Sequence, residues 1–135
     1  MKGLLADVND GKQVRVLVML LQEELRASFW DHLGLSIPTF AELGLHSRST
    51  DLEVWLKCQA EDVLLFTANR NDDVDDSLES TNRTHGTPKS LPVFTLADAN
   101  RVLDERSYAE LVADRLLEFL YDIEHLKGTG RLYLP

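Results

Sequence analysis

The feature that most constrains the fold is an unbroken apolar run, "VLLF" at residues 63–66, which leads directly into the polar stretch "TANRNDD". An apolar run of strand length without polar alternation is typical of a strand buried on both faces, as in the parallel sheets of α/β proteins. A similar run, "LPVFTL", occupies residues 91–96, and a shorter one, "KGLLAD", occupies residues 2–7. We therefore predict an α/β protein, with helices on both faces of a parallel sheet.

The segments between these runs supply one further strand and the first helices. Residues 36–43, "SIPTFAEL", predict a weak strand that Pro38 confines to an edge of the sheet, which brings the expected number of strands to about four. Residues 12–34 predict one helix that ends at Gly34. Its apolar positions keep helical spacing: Val14, Leu17, Leu21, Leu25 and Phe29.

Two capping boxes predict where later helices begin. Thr50 and Glu53 have the spacing of a capping box and open a helix over 51–61, and Ser107 and Glu110 have the same spacing. The helix from Ser107 is expected to run until Gly128. Its predicted buried stripe is Tyr108, Val112, Leu116, Phe119 and Ile123. Short helices are expected over 72–81 and 97–105, with a loop over 82–90.

The length of 135 residues predicts a single domain, 1–135, with a core over 2–96 and a C-terminal helical part over 97–135. No apolar run approaches the roughly 20 residues that cross a bilayer, so we expect no membrane association. The first ten residues contain too few apolar side chains for a signal peptide. These observations favour a cytoplasmic protein.

Cysteine content, charge and aromatic residues limit the classes of function. Cys58 is the single cysteine, which excludes an intramolecular disulfide, and we expect it to be a buried and inert thiol. The net charge of −9 argues against broad nucleic-acid binding, although an acidic site that holds a cation still attracts phosphate. Trp30, Trp55 and the terminal "RLYLP" are expected to leave apolar surface exposed, which predicts a homodimer.

Acidic and amide side chains follow each predicted strand. Asp7 ends the first strand, with Asn9 and Asp10 beyond it, and Asp51 follows the second. Residues 69–73 follow the third strand and Asp98 follows the fourth. The carboxyl ends of parallel strands lie at one edge of a sheet, where ligands of α/β proteins bind. Oxygen ligands of this type suit Mg²⁺ or Mn²⁺. The predicted metal ligands are Asp7, Asp51, Asn69, Asn71 and Asp72.

Helix capping explains most of these residues equally well. Asp and Asn are preferred at helix starts, and Asp51 stands beside the Thr50 cap. Asp7 is the exception, because a carboxylate directly after a buried strand is poorly explained by solubility. For a phosphate or RNA contact, the best local basic residues are Arg70, Arg83 and His85, although loop charges that balance an acidic protein explain these three as well.

The combination of "LLADVN", a helix that opens at Asp51 and "VLLFTANRND" resembles the small bacterial PIN-like proteins over roughly residues 2–96. Beyond that range, "LPVFTLADANRVL" and "GTGRLYLP" are similar to an uncharacterised bacterial subgroup. The resemblance implies a metal-dependent ribonuclease fold, often the toxin of a toxin–antitoxin pair. Asp7 matches the first acid of the family and Asp51 the second. Thr67 also matches, whereas Asn69 and Asn71 stand where the family has aspartates.

Three hypotheses of function follow. The first is a Mg²⁺-dependent ribonuclease with Asp7, Asp51 and Asp72 as catalytic residues, and with RNA and an antitoxin-like protein as partners. The second is a PIN-like scaffold that binds a protein or RNA without cleaving it. The third, a phosphoacceptor receiver domain, ranks last because it needs an aspartate at the end of the third strand, where this chain has "FTAN".

Overall fold

The structure is a computed structural model that describes residues 1–68, 81 and 85–135. The elements up to residue 68 are β1 (Gly3–Ala6), α1 (Gly11–Leu21), α2 (Glu24–Leu33), a 3₁₀ turn (Ala41–Leu43), α3 (Asp51–Ala60) and β2 (Val63–Thr67). Those after residue 85 are β3 (Val93–Leu96), α4 (Ala99–Asp104), α5 (Arg106–Tyr121), α6 (Ile123–Leu126) and β4 (Arg131–Leu134). The helix predicted over 72–81 lies outside the described residues, apart from Thr81.

The four strands form one parallel sheet in the order β1-β2-β3-β4, which confirms the predicted α/β class. Gly3 of β1 pairs with Val63 on one side and, through an isolated parallel bridge, with Ser36 on the other. A Cβ atom on Gly3 would lie 2.6 Å from Ser36 Oγ, so this close approach requires glycine. The chain therefore passes outward from β1 to Ser36 and then returns to β2, which makes the β1/β2 boundary the switch point of the sheet.

Helices pack on both faces of the sheet, as predicted. On one face, α1, α4 and α5 cover the larger hydrophobic core, to which the strands contribute Leu4, Leu64, Phe66, Phe94, Leu96 and Leu134. On the other face, α3 packs Val54, Trp55 and Cys58 over Leu5 and Leu65. Every residue of β2 is buried, as the continuous apolar run predicted.

The strand predicted over 36–43 is wrong, because only Ser36 pairs with the sheet. Pro38 has no N–H to continue the pairing, and residues 41–43 form the 3₁₀ turn instead. The fourth strand is β4, in the part of the chain that was predicted to be helical with a short apolar end. The register pairs Phe94 of β3 with Leu132 of β4.

The single helix predicted over 12–34 is also wrong, because the chain forms α1 and α2 with a break at residues 22–23. Glu24 adopts a left-handed backbone conformation (φ 46°), which turns α2 away from the line of α1. As a result Leu25 is 86% exposed and Phe29 53% exposed, so neither continues the buried stripe of α1. Gly34 does end a helix, as predicted, and it adopts a left-handed conformation as the C-cap of α2.

One of the two capping boxes is present. Thr50 Oγ1 accepts a hydrogen bond from Glu53 N–H (3.1 Å), and Glu53 Oε1 accepts one from Thr50 N–H (3.0 Å). The box predicted at Ser107 is wrong, because α5 begins at Arg106, with Glu105 as its N-cap and without a side-chain capping hydrogen bond. α5 also ends at Tyr121, and α6 and a turn at Gly128 follow it.

Most of the apolar surface that suggested a homodimer is buried. Trp30 is 5% exposed and Trp55 3%, and Leu134 is buried in the core, whereas Tyr133 is 57% exposed. The expected exposure of the two tryptophans is therefore wrong, and the homodimer itself stays a prediction. Among the described residues, no helix is both long and apolar enough to cross a lipid bilayer.

The position of β4 predicts a large effect of Leu134→Ala on stability. Removing a buried leucine side chain from a packed core costs about 2–5 kcal/mol of unfolding free energy. The matched control is Leu111→Ala on the exposed side of α5, which should change stability by about 0.5 kcal/mol or less. Urea denaturation of both variants measures the difference. Equal losses would show that Leu134 is not packed in the core as part of the sheet.

Candidate functional site

Asp7 directly follows β1, and its N–H and both carboxylate oxygens are hydrogen-bonded. Its N–H donates to Phe66 O of β2 (2.8 Å), which extends the pairing of the two strands by one residue. Thr67 Oγ1, at the end of β2, donates to Asp7 Oδ2 (2.7 Å), and Val8 N–H donates to Oδ1 (2.8 Å). Each carboxylate oxygen keeps further acceptor capacity. Asp7 is therefore a fixed carboxylate at the switch point of the sheet.

Asp10 is a second carboxylate at this edge, and it is buried (6% exposed). Its N–H donates to Asp7 O (2.9 Å), and its Oδ2 accepts a hydrogen bond from Ala68 N–H (3.0 Å). Burial raises the pKa of Asp10, the Ala68 N–H offsets part of that rise, and the charge of Asp7 adds to it. The loop after β1 is thus tied to the end of β2 by a carboxylate that is costly to ionise.

Asp51 is the third carboxylate, and it is the first residue of α3 after the Thr50 cap. Asp7, Asp10 and Asp51 line one cavity of about 300 Å³, together with Phe40 and Ser49. The structure therefore brings the two predicted residues Asp7 and Asp51 to the same cavity. The short loops after β1 and before α3 place them there.

The remaining predicted site residues are placed as follows. Asn69, Arg70, Asn71, Asp72 and Arg83 lie outside the described residues. His85 is exposed, and its ring centroid lies 6.4 Å from the ring centroid of Trp55. Trp55 lies on α3, one helical turn after Asp51. Asp98, at the same edge of the sheet, accepts a hydrogen bond from Arg101 N–H (3.2 Å) and caps α4.

Sequence reasoning placed Asp10 beyond the first strand but left it out of the predicted metal ligands. A residue just before a helix is normally interpreted as its cap, yet the Asp10 side chain makes no capping hydrogen bond to α1. It reaches instead to Ala68, across the switch point. The sequence signal that could have identified Asp10 is its spacing from Asp7, because a turn after a strand brings two aspartates three residues apart to the same side of the loop.

Divalent cations with oxygen ligands are the chemistry that this edge fits. Among residues 1–68, 81 and 85–135, no three His, Cys, Asp or Glu side chains are grouped so that they could hold a metal ion. Mg²⁺ commonly needs only one or two carboxylates, because water and substrate phosphates complete its shell. Asp7 with Asp51 provides such a pair, and the all-oxygen donors disfavour zinc.

Cys58 lies on α3 beneath this edge and is not a nucleophile of the site. The side chain is buried against the sheet, and burial together with the charge of Asp7 raises the pKa of its thiol to about 12. A thiol with so high a pKa has almost no thiolate at neutral pH. The expected buried thiol is confirmed.

The fold and this edge define a doubly wound α/β domain with a cavity lined by carboxylates at its switch point. Comparison of the chain with protein-family models, with curated proteins and with solved structures gives no match in any of the three. The resemblance to PIN-like proteins therefore stays a prediction, and the geometry of the site carries the functional argument.

The burial of Cys58 predicts that the folded protein does not react with thiol reagents. At pH 8 and without denaturant, modification by a disulfide-exchange reagent should be at least about 100-fold slower than in the unfolded chain, since only the thiolate reacts. The release of the coloured thiol product measures the rate. A similar rate in folded and unfolded protein would contradict the burial of this residue.

The raised pKa of Asp10 predicts a stability that depends on pH. The folded state holds the Asp10 proton more tightly than the unfolded state, where the pKa is about 3.8, so stability falls as the pH rises through the folded pKa. Asp10→Asn keeps an acceptor for Ala68 N–H and removes the charge. Without divalent cations it should be more stable than the parent at pH 7, and this advantage should vanish below about pH 4. Urea denaturation over pH 3–7 measures it, and a difference that does not vary with pH would contradict the assignment.

Proposed function

We propose that this protein is a divalent-cation-dependent ribonuclease whose site is the cavity lined by Asp7, Asp10 and Asp51. The observation that carries the proposal is that three carboxylates share one cavity of about 300 Å³ at the switch point of the sheet. The charge of Asp7 already disfavours ionisation of Asp10, and a cation in this cavity would relieve that repulsion. An ion held there would activate water and stabilise the leaving oxygen in phosphodiester hydrolysis.

The protein's own contribution is to fix the ligands before an ion arrives. Thr67 and Val8 each hold one oxygen of Asp7, and the N-terminus of α3 holds Asp51. Asp10 positions the loop through Ala68 rather than serving as the first ligand. Because these groups belong to strand and helix ends, little rearrangement is needed to bind Mg²⁺ or Mn²⁺.

The choice of RNA as substrate depends on the PIN-like resemblance. On that resemblance we also propose that the protein acts in the cytoplasm, as the toxin of a toxin–antitoxin pair, with an antitoxin-like protein as partner. A homodimer is the proposed assembly. The acidic chain (net charge −9) fits a nuclease in which the metal ion, rather than a broad basic surface, attracts phosphate.

A PIN-like scaffold that binds RNA or a protein without cleavage is the second candidate function. It is favoured by the absence of any metal-holding group of three acids, cysteines or histidines among the described residues. The neutral Asn69 and Asn71, at positions where the resemblance expects aspartates, point the same way. In this case the cavity would bind no cation, and the two functions are separable by experiment.

The proposal predicts that Asp7→Asn abolishes cation-dependent activity while the fold is retained. Cleavage of a single-stranded RNA in Mn²⁺ should fall at least about 100-fold, because a neutral amide is a weaker ligand for a hard cation than a carboxylate. The rise in melting temperature on adding Mn²⁺ should disappear as well, since a ligand stabilises only the state that binds it. Asp98→Asn is the matched control. It changes an acid at the same edge that caps α4, and asparagine caps equally well.

The pattern of results separates the two candidate functions. Loss of cleavage and of the melting shift in Asp7→Asn, with both retained in Asp98→Asn, supports the nuclease. If the parent shows neither cleavage nor a melting shift, the nuclease proposal is wrong and the scaffold is favoured. If Asp7→Asn unfolds, Asp7 is a structural residue.

A further inference from the structure

A second and larger cavity, of about 540 Å³, runs along the outer edge of β1 beside the carboxylate cavity. Its lining is predominantly apolar, with side chains from β1, from α1 and from the segment after Ser36. The apolar residues that define it are Leu5, Val14, Val18, Ile37, Pro38 and Phe40. We call this space the edge cleft. Its volume lies in the range of about 300–1,000 Å³ that is usual for small-molecule sites.

The edge cleft exists because the outer edge of the sheet stops early. Ser36 pairs with Gly3, but Pro38 cannot continue the pairing, so the chain leaves the edge of β1 uncovered opposite α1. Val8, Met19 and Ile37 remain exposed around the opening. Exposed apolar side chains that line a concave site are typical of a surface that a ligand covers.

The edge cleft adjoins the carboxylate cavity. Asp7, Val8 and Phe40 line both spaces, so Asp7 lies at the boundary between them. Among the described residues that line the cleft, Arg15 is the single cation, and it is exposed on α1. One space therefore offers an apolar slot, an aromatic ring, a cation and an adjacent group of carboxylates.

We propose that the edge cleft binds one unstacked base of a single-stranded RNA, whose phosphodiester group lies at the carboxylate cavity. This inference rests on the proposed function and names its substrate class. A flat, weakly polar base fits an apolar slot beside Phe40, and Arg15 contacts a phosphate oxygen of the same nucleotide. A base in a duplex is stacked and paired and cannot enter a cleft, so the substrate is single-stranded.

The probes that test this inference are adenosine 5′-monophosphate and uridine 5′-monophosphate, without any divalent cation. Ribose 5-phosphate, which lacks the base, is the matched control ligand. In ¹H–¹⁵N spectra the two nucleotides should shift the amide signals of Val14, Val18, Ile37 and Thr39, and ribose 5-phosphate should not. No shifts at these positions, or equal shifts from ribose 5-phosphate, would overturn the inference.

Two variants test the geometry of the edge cleft. Val18→Trp fills the slot and should weaken nucleotide binding at least about tenfold, because base stacking and burial are lost. Leu111→Trp on the exposed side of α5 is its control and should have no effect. Arg15→Gln changes only an exposed side chain. It should weaken binding of the monophosphate several-fold and leave binding of the uncharged nucleoside unchanged. Unchanged nucleotide affinity in both cleft variants would overturn the inference.

The melting shift with Mn²⁺ and the cleavage of RNA, both measured on the parent protein, test the nuclease independently of this inference. Nucleotide binding in the edge cleft, without a Mn²⁺-induced melting shift or cleavage, would support the base site and overturn the nuclease. A melting shift and cleavage without nucleotide binding would support the nuclease and overturn the base site. If both are present, single-stranded RNA should be cleaved at least about tenfold faster than the same sequence in a duplex. Equal rates would overturn the inference.

Discussion

The parallel pairing of β1 with β2 is the interaction on which the rest of this structure depends. It places the ends of both strands side by side, where Thr67 donates to Asp7 and Ala68 donates to Asp10. Because the chain visits Ser36 on the far side of β1 before it returns to β2, the loops after these strands diverge and leave room between them. The carboxylate cavity lies at this divergence, and the edge cleft adjoins it along the outer edge of β1.

The parts of the fold that could be predicted from the sequence are those in which a local pattern decides the structure. The apolar run of β2 is stable only where both faces of the strand are buried. The Thr50 and Glu53 side chains provide the hydrogen bonds at the start of α3 without distant partners. The break after α1 is different, because the residues that follow it contact distant parts of the chain. Arg26 binds Asp114 of α5, and Glu23 binds Arg106 (2.6 Å for each pair). The hydrophobic periodicity within residues 12–34 does not indicate these distant contacts. The formation of β4 likewise depends on a distant partner, because β4 pairs with the edge of β3.

The candidate site was predictable in part for the same reason. Asp7 follows a predicted strand and Asp51 follows a predicted helix cap. Because ligands bind at the carboxyl edge of a parallel sheet, both residues were predicted to lie at one site, and they line the same cavity. Asp10 was missed because its position before α1 indicates a cap, whereas its partner is Ala68, 58 residues away. The edge cleft could not be foreseen either, since it depends on the end of an edge pairing at Ser36 that the sequence suggested would continue.

The central claim, that the carboxylates at the β1/β2 boundary hold a divalent cation, is tested most directly by paramagnetic broadening with Mn²⁺. Unpaired electrons on a bound ion broaden the amide signals of nearby residues, so the position of the ion follows from which signals weaken. Substoichiometric Mn²⁺ should selectively broaden the amides of Val8, Asp10, Asp51 and Ala68, and excess Mg²⁺ should restore them by competition. Uniform weak broadening over the acidic surface, or selective broadening at another place in the fold, would contradict it.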